Sequence, residues 1–268
     1  LFKDELGIFH ATLAQMFFVL VCSIALFTSK WWKERETQAG VQALACSGGT
    51  LKRGLQHAGS ETGATMRWFF LATTILILAQ LILGATMRHQ HAGLAIRDFP
   101  LAYGKIWPEM DAQSVAHYNQ QRQEIIETHP ITAAQIGLQM AHRIAAVLIL
   151  ICVGTAAWLA RRWSSRFSVS GGADSLKAGL QRIARLSLVW LGLILIQATL
   201  GAFTIWTNKA ADIATAHVLI GALSLVTGAM LVLISSRVLV ASAMIAKTEN
   251  SVSQFPFEVS HTAAPNVR

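Results

Sequence analysis

The chain is short of charge. Asp, Glu, Lys and Arg make up 13% of its 268 residues, against roughly 25% in a soluble globular protein. Too few groups are left to keep a folded surface wet, so an ordinary soluble domain is excluded. Acids are the scarcer kind, 14 against 22 basic residues, and none falls inside the long apolar stretches. Of three cysteines, Cys22 and Cys152 lie in apolar stretches and Cys46 in a polar segment. None sits where an extracytoplasmic loop is expected, so no disulfide is expected. The period-2 alternation of a membrane β-barrel is missing. No basic segment or cleavage site accompanies the first apolar run, so it is not a signal peptide.

Apolar residues make up 53% of the sequence, and the mean hydropathy is +0.47. They are bunched in 8–28, 68–87, 132–160, 186–206 and 213–236, where the only charge is Arg143. At 1.5 Å per residue, about 20 residues cross the roughly 30 Å hydrocarbon core of a bilayer. The chain reads as an all-α polytopic membrane protein with five transmembrane helices.

The net charge of +8 sets orientation and does not imply nucleic acid. Segments 29–67, 161–185 and 237–268 hold 15 of the 22 Lys and Arg. Segments 1–7, 88–131 and 207–212 hold six, and Arg143 is the last. The two groups alternate along the chain, so the positive-inside rule places the first group in the cytoplasm and the 88–131 loop outside. Residues 31–67, rich in Gly, Ala, Ser and Thr, read as a cytoplasmic linker. Residues 241–268 read as a disordered cytoplasmic tail. Within the outer loop, 112–127 reads as a short amphipathic helix lying on the membrane.

A weak repeat runs through the spans. Gln80-x-x-x-Gly84-Ala85 and Gln197-x-x-x-Gly201-Ala202 both stand near the outer end of a helix. Small residues recur at helix crossings in any case, so spacing alone leaves the repeat undecided. If it is real, the second to fifth spans form one four-helix unit at 68–240. The first span, 1–30, is then the last helix of a preceding half that is otherwise missing from this chain.

Three histidines lie within spans: His10, His142 and His217. Ionisable groups in hydrocarbon are rare and usually functional. On the expected topology His142 lies roughly 18 Å and His217 roughly 9 Å along inward-running helices, and all three fall in the outer half of the membrane. Two neutral imidazoles facing each other in an apolar bundle suit a haem iron, which takes axial ligands from opposite sides. Zinc would want further ligands, and the spans hold no carboxylate. The bland alternative is a histidine that only hydrogen-bonds a neighbouring helix. Arg143 needs a partner at this depth, and a haem propionate would serve. His89 and His91 could be read as a surface copper or zinc site, but solvated residues at a helix end suit them better.

Several stretches resemble the haem A synthase family. They are Leu83-Gly84-Ala85-Thr86-Met87-Arg88 followed by Ala92-Gly93-Leu94-Ala95 and Asp98-Phe99-Pro100-Leu101; Gln139-Met140-Ala141-His142-Arg143; and Thr207-Asn208-Lys209 leading to Thr215-Ala216-His217. The resemblance covers roughly 70–240 and, more weakly, 8–30. It implies an eight-helix protein of two four-helix halves. The C-terminal half would hold haem b between His142 and His217, with Arg143 as a further cofactor-binding residue. The N-terminal half would bind haem O and oxidise a ring methyl to a formyl group, supporting cytochrome oxidase assembly. His10 maps to a substrate-haem ligand of that half. Its partner His and a catalytic Glu would lie upstream of residue 1, so no catalytic residue is expected in this chain, and the chain alone is expected to be inactive. Gln139 stands where that Glu would be in the C-terminal half, which fits a cofactor site. The sequence departs from the family pattern at His91, which replaces a small residue, and lacks the outer-loop cysteine pair of some members.

Implied partners are haem O synthase, a membrane-bound or quinol-linked electron donor and the lipid bilayer, with self-association open. The implied location is a bacterial plasma membrane. Two other readings compete: a non-catalytic bis-His haem b electron-transfer cytochrome, and a haem-free assembly or transport protein whose polar residues only join helices.

Overall fold

In the computed structural model, residues 2–33, 61–123, 130–169 and 174–253 are described. Cys46, the linker from 34 to 60 and the tail from 254 lie outside them. The long helices are α1 (Phe2–Thr28), α2 (Glu61–His89), α4 (Ala133–Val169), α5 (Asp174–Trp206) and α6 (Ala211–Ser253). A short α3 (Ala112–Gln123) and a 3-10 turn (Ala92–Leu94) lie between α2 and α4. All five long helices contain a stretch long and apolar enough to cross a membrane. In hydrocarbon every backbone polar group must be satisfied internally, which a helix does. The Ser and Thr hydroxyls on the spans do likewise. Thr74, Ser187 and Thr204 each donate to the carbonyl four residues back, at 2.7–2.8 Å.

α2, α4, α5 and α6 close a four-helix ring. α2 and α5 each pack against both α4 and α6, so α4 and α6 stand diagonally opposed. α1 lies outside the ring against α2 and α6. Gly7, Ala11, Gln15, Phe18 and Cys22 turn toward the ring at helical spacing, while Phe9, Leu13, Phe17, Leu20 and Ile24 stay exposed. Such an apolar outer face is at home in lipid.

The ring has two apolar clusters. The larger lies away from the 90–111 loop and includes Phe70, Val153, Leu180, Trp190 and Leu231. Trp190 is fully buried there, and its Nε1–H donates to the Ser224 carbonyl at 2.8 Å, as a buried indole requires. Trp and Arg ring this same end of the bundle: Arg67 over Trp68, Arg162 over Trp158, Arg182 over Trp31 and Arg237 over Trp32. Amphipathic rings and snorkelling cations suit a headgroup layer.

The second cluster joins the loop to the start of α4 through Ile96, Ala102, Tyr118, Ile131, Ile136 and Met140. The Asp98 carboxylate accepts from the Tyr103 and Gly104 amides, both at 2.8 Å. Tyr103 and Gly104 have positive φ, 52° and 74°, so this turn needs outside hydrogen bonds to hold it. The Tyr103 and Tyr118 rings stack 3.7 Å apart.

Two boundaries and the character of one helix differ from expectation. α2 starts at Glu61, inside the expected linker, and α6 continues to Ser253, past the expected start of a disordered tail. Neither extension contains a proline to stop it. α3 is not a membrane-surface amphipath. It is polar, AQSVAHYNQQRQ, and Tyr118 anchors it in the loop cluster. Asn119 fixes it to α4 by exchanging hydrogen bonds with the Ile131 backbone at 2.7 and 2.9 Å.

Candidate cofactor site

Between the two apolar clusters lies a polar layer. On α4, His142 falls between Met140 of the loop cluster and Ile149 of the larger one. On α5, Gln197 follows Ile194 of the larger cluster. His142 and His217 stand on the diagonal helices α4 and α6.

Each ring rests on a glycine of the adjoining helix. A Cβ built on Gly84 of α2 would stand 3.4 Å from His142 Cε1, and one on Gly201 of α5 would stand 3.2 Å from His217 Cε1. The glutamine one turn before each glycine reaches the same histidine. Gln80 Nε2 donates to the His142 carbonyl at 2.9 Å. Gln197 Nε2 stands 3.4 Å from His217 Nε2, close enough to donate when that nitrogen carries no proton. The Q-x-x-x-G repeat is therefore a structural unit: a seat for a histidine and an amide beside it, made twice.

Four polar atoms of this layer are buried with no hydrogen-bond partner: His142 Nδ1, His217 Nδ1, Gln80 Oε1 and Gln197 Oε1. A buried polar atom left unpaired costs about 1–3 kcal/mol. Four in one layer mark a place built for something more than helix packing. Two imidazoles on diagonal helices, each with a free nitrogen and a glycine-relieved wall, fit the donor set of a bis-His haem. Among the described residues no group of three or more His, Cys, Asp or Glu could hold a metal ion, so a metal bound by protein side chains alone has no such cluster to use.

His10 is not part of this layer. It is exposed on α1, next to the exposed Phe9 and close to the exposed Leu13. α1 starts at the same end of the bundle as the histidine layer, because Gly7 lies under the His89 ring at the end of α2. That contact also accounts for His89, and His91 occupies the N-cap position of the 3-10 turn in the left-handed region, φ 53°, with no side-chain capping bond.

Arg143, which needs a partner at this depth, finds partners in the loop backbone. Its Nη1 donates to the Leu101 carbonyl at 2.8 Å and its Nη2 to the Asp98 carbonyl at 2.7 Å, and the guanidinium lies over the Phe99 ring. Only Nε is buried without a partner. Gln139 is also spent on the loop. Its Oε1 accepts from the Ile96 amide at 2.6 Å, and its Nε2 donates to the Ile96 carbonyl at 3.0 Å and more weakly to Gly93. An amide held this way cannot move protons. Lys209, in the tight turn between α5 and α6, lies over Gly93. Burial holds its ammonium below the usual lysine range, and nearby Arg88 acts in the same direction.

Sequence reasoning missed the loop tethers made by Gln139, Arg143 and Arg122. Arg122 Nη1 donates to the Leu94 carbonyl at 2.7 Å. The family described as cytochrome oxidase assembly protein, COX15-CtaA, matches residues 8–230. No curated protein and no solved structure matches the chain.

Proposed function

The chain belongs to this haem A synthase family of cytochrome oxidase assembly proteins, and from that premise we propose that α2, α4, α5 and α6 hold a haem b between His142 and His217. Membership carries the broad role, haem A synthesis for cytochrome oxidase. The finer reading is that this bundle serves the oxidation of a haem O ring methyl to a formyl group. The observation that carries it is the pair of glycine-seated imidazoles on diagonal helices, each with its Nδ1 buried and unpartnered.

Held by His142 and His217, a haem would supply one-electron transfer. The residues here match that limited task. His142 and His217 would hold the group, Gly84 and Gly201 make room for the rings, and Gln197 lies beside Nε2 of His217. Arg143 and Gln139 hold the 93–101 loop over the site, and Nε of Arg143 is buried with no partner and so is free to donate to a propionate. Among the described residues the layer holds no carboxylate to manage protons in such an oxidation. The methyl chemistry is therefore assigned to a second four-helix unit, of which α1 is part and to which His10 contributes a ligand for the substrate haem. Haem O synthase would supply the substrate and a quinol-linked membrane donor would exchange electrons. The protein is integral to the membrane. We place it in a bacterial plasma membrane with the 88–131 loop outside and 29–67 and 161–185 in the cytoplasm.

The test is the reduced absorption spectrum of the purified chain. The expected result is a low-spin haem b, about one per chain, lost in His142→Ala and in His217→Ala. Unchanged low-spin bands at full occupancy in either variant would refute the site. A chain that keeps haem b but never supports haem A formation, even with the remaining family helices supplied, is the electron-transfer cytochrome instead.

A further inference from the structure

A groove of about 490 Å³ runs between α4 and α5, at the end of the bundle remote from the histidine layer. Its floor is apolar and includes Gly154, Leu188 and Leu191. A Cβ placed on Gly154 would meet nothing within 4 Å, so the floor there is open space. Arg161 and Arg162 stand at the mouth, beside Trp158. From Gly154 to Arg161 is two helical turns, about 10 Å. The groove is thus oily along its length and cationic at one end.

Among the described residues neither guanidinium has an acidic partner. Arg162 lies 4.8 Å over the Trp158 ring, which leaves its N–H edge for another partner. The ion pair among the described residues is Lys105–Glu109, in the loop at the opposite end. Arg161 and Arg162 sit at the end of the bundle ringed by Trp and Arg, where a lipid headgroup layer is expected. A haem would find no axial ligand here. Inorganic phosphate would gain nothing from the apolar floor, and a zwitterionic lipid would leave the two cations unmatched.

We propose that the α4–α5 groove binds an anionic phospholipid, its acyl chain along Gly154, Leu188 and Leu191 and its phosphodiester on Arg161 and Arg162. Basic pockets between transmembrane helices are recognised sites for anionic headgroups. The site is independent of the haem assignment, because it shares no residue with the histidine layer.

The full chain, purified in detergent and titrated with phosphatidylglycerol or phosphatidylcholine, is read by native mass spectrometry. A basic residue near a membrane surface contributes about fivefold to binding, so two give roughly a 25-fold preference for phosphatidylglycerol. The double variant R161Q/R162Q should lose that preference while still holding lipid of either kind. Gly154→Leu, which enters open space, should lose retention of both lipids with the melting temperature unchanged. Inorganic phosphate at millimolar concentration should not displace the lipid. Equal retention of the two lipids by the wild type, an undiminished preference in R161Q/R162Q, full retention in Gly154→Leu, or displacement by inorganic phosphate would each overturn the proposal. If Gly154→Leu does not fold, the exposed R161Q/R162Q pair decides alone.

Discussion

The imidazole of His217 rests on Gly201 so closely that a Cβ there would stand 3.2 Å from Cε1, whereas the matching distance from Gly84 to His142 is 3.4 Å. The first is tighter than an ordinary contact and the second is ordinary van der Waals spacing. The two seats should therefore respond unequally to the same substitution. Gly84→Ala should keep the bound haem and its low-spin spectrum. Gly201→Ala should push the ring by a few tenths of an ångström and lower haem retention, and Gly201→Val should abolish it. Overpacking of this kind costs about 1–3 kcal/mol. The measurement is the haem-to-protein ratio after detergent exchange, and full occupancy in Gly201→Val would contradict the seat.

Gln139 ties α4 to the loop through both polar ends of the Ile96 backbone. Gln139→Leu leaves the buried Ile96 amide and carbonyl unpaired, at about 1–3 kcal/mol for each. The expected outcome is a lower melting temperature and faster proteolysis between 92 and 103, with His142 still able to bind. Gln139→Glu keeps the acceptor for the Ile96 amide but loses the donor to its carbonyl, so it should fall between. Hydrogen exchange at Ile96 distinguishes these outcomes. No change in exchange at Ile96 in Gln139→Leu would show that the tether does not hold the loop.

Hydropathy reports where lipid must be, so the five spans and the charge alternation were readable before any coordinates. It does not report helix ends. The backbone bonds of Glu61–Trp68 or Val238–Ser253 are as good in water as in lipid, and no apolar run marks them. The histidine layer was readable because His in an apolar run is chemically conspicuous. The repeat Gln80-x-x-x-Gly84 and Gln197-x-x-x-Gly201 was visible as spelling, but its meaning needed the neighbouring helix. Arg143 shows the limit most clearly. Its partners are the backbone carbonyls of Asp98 and Leu101, and a carbonyl leaves no trace in a sequence, so a search among side chains found none.

The proposed orientation rests on the basic residues, 15 of 22 of which fall in the segments placed in the cytoplasm. With Cys22, Cys46 and Cys152 replaced by Ala, a single cysteine at exposed Gln120 should react with an impermeant maleimide in intact cells. A single cysteine at Ser60 should react only after lysis. The reverse pattern would invert the topology and move the histidine layer to the other leaflet.

The chain has only two tyrosines, which makes the loop's own pH response measurable. The Tyr103 hydroxyl donates to the Ala95 carbonyl and its ring stacks on Tyr118. Its pKa is pushed up from the ordinary 10 to about 12, chiefly by burial, with Tyr118 and Asp98 adding and Arg122 opposing. A folded-state pKa above the unfolded one means that the folded loop favours the neutral phenol. That contribution is whole below about pH 10 and is lost as pH rises from 10 through 12. Tyr118→Phe keeps the ring stack and leaves Tyr103 as the only phenol. Its phenolate absorbance should then rise with a midpoint still above the ordinary 10, because burial is the chief cause, and proteolysis between 92 and 103 should accelerate over the same range. Phe at both positions should abolish the absorbance change. It should also leave the loop more easily cut at neutral pH, because the bond to Ala95 is gone. A midpoint near 10 in Tyr118→Phe would show that Tyr103 is not buried in the folded loop, and the packing of α3 against it would fall with that result.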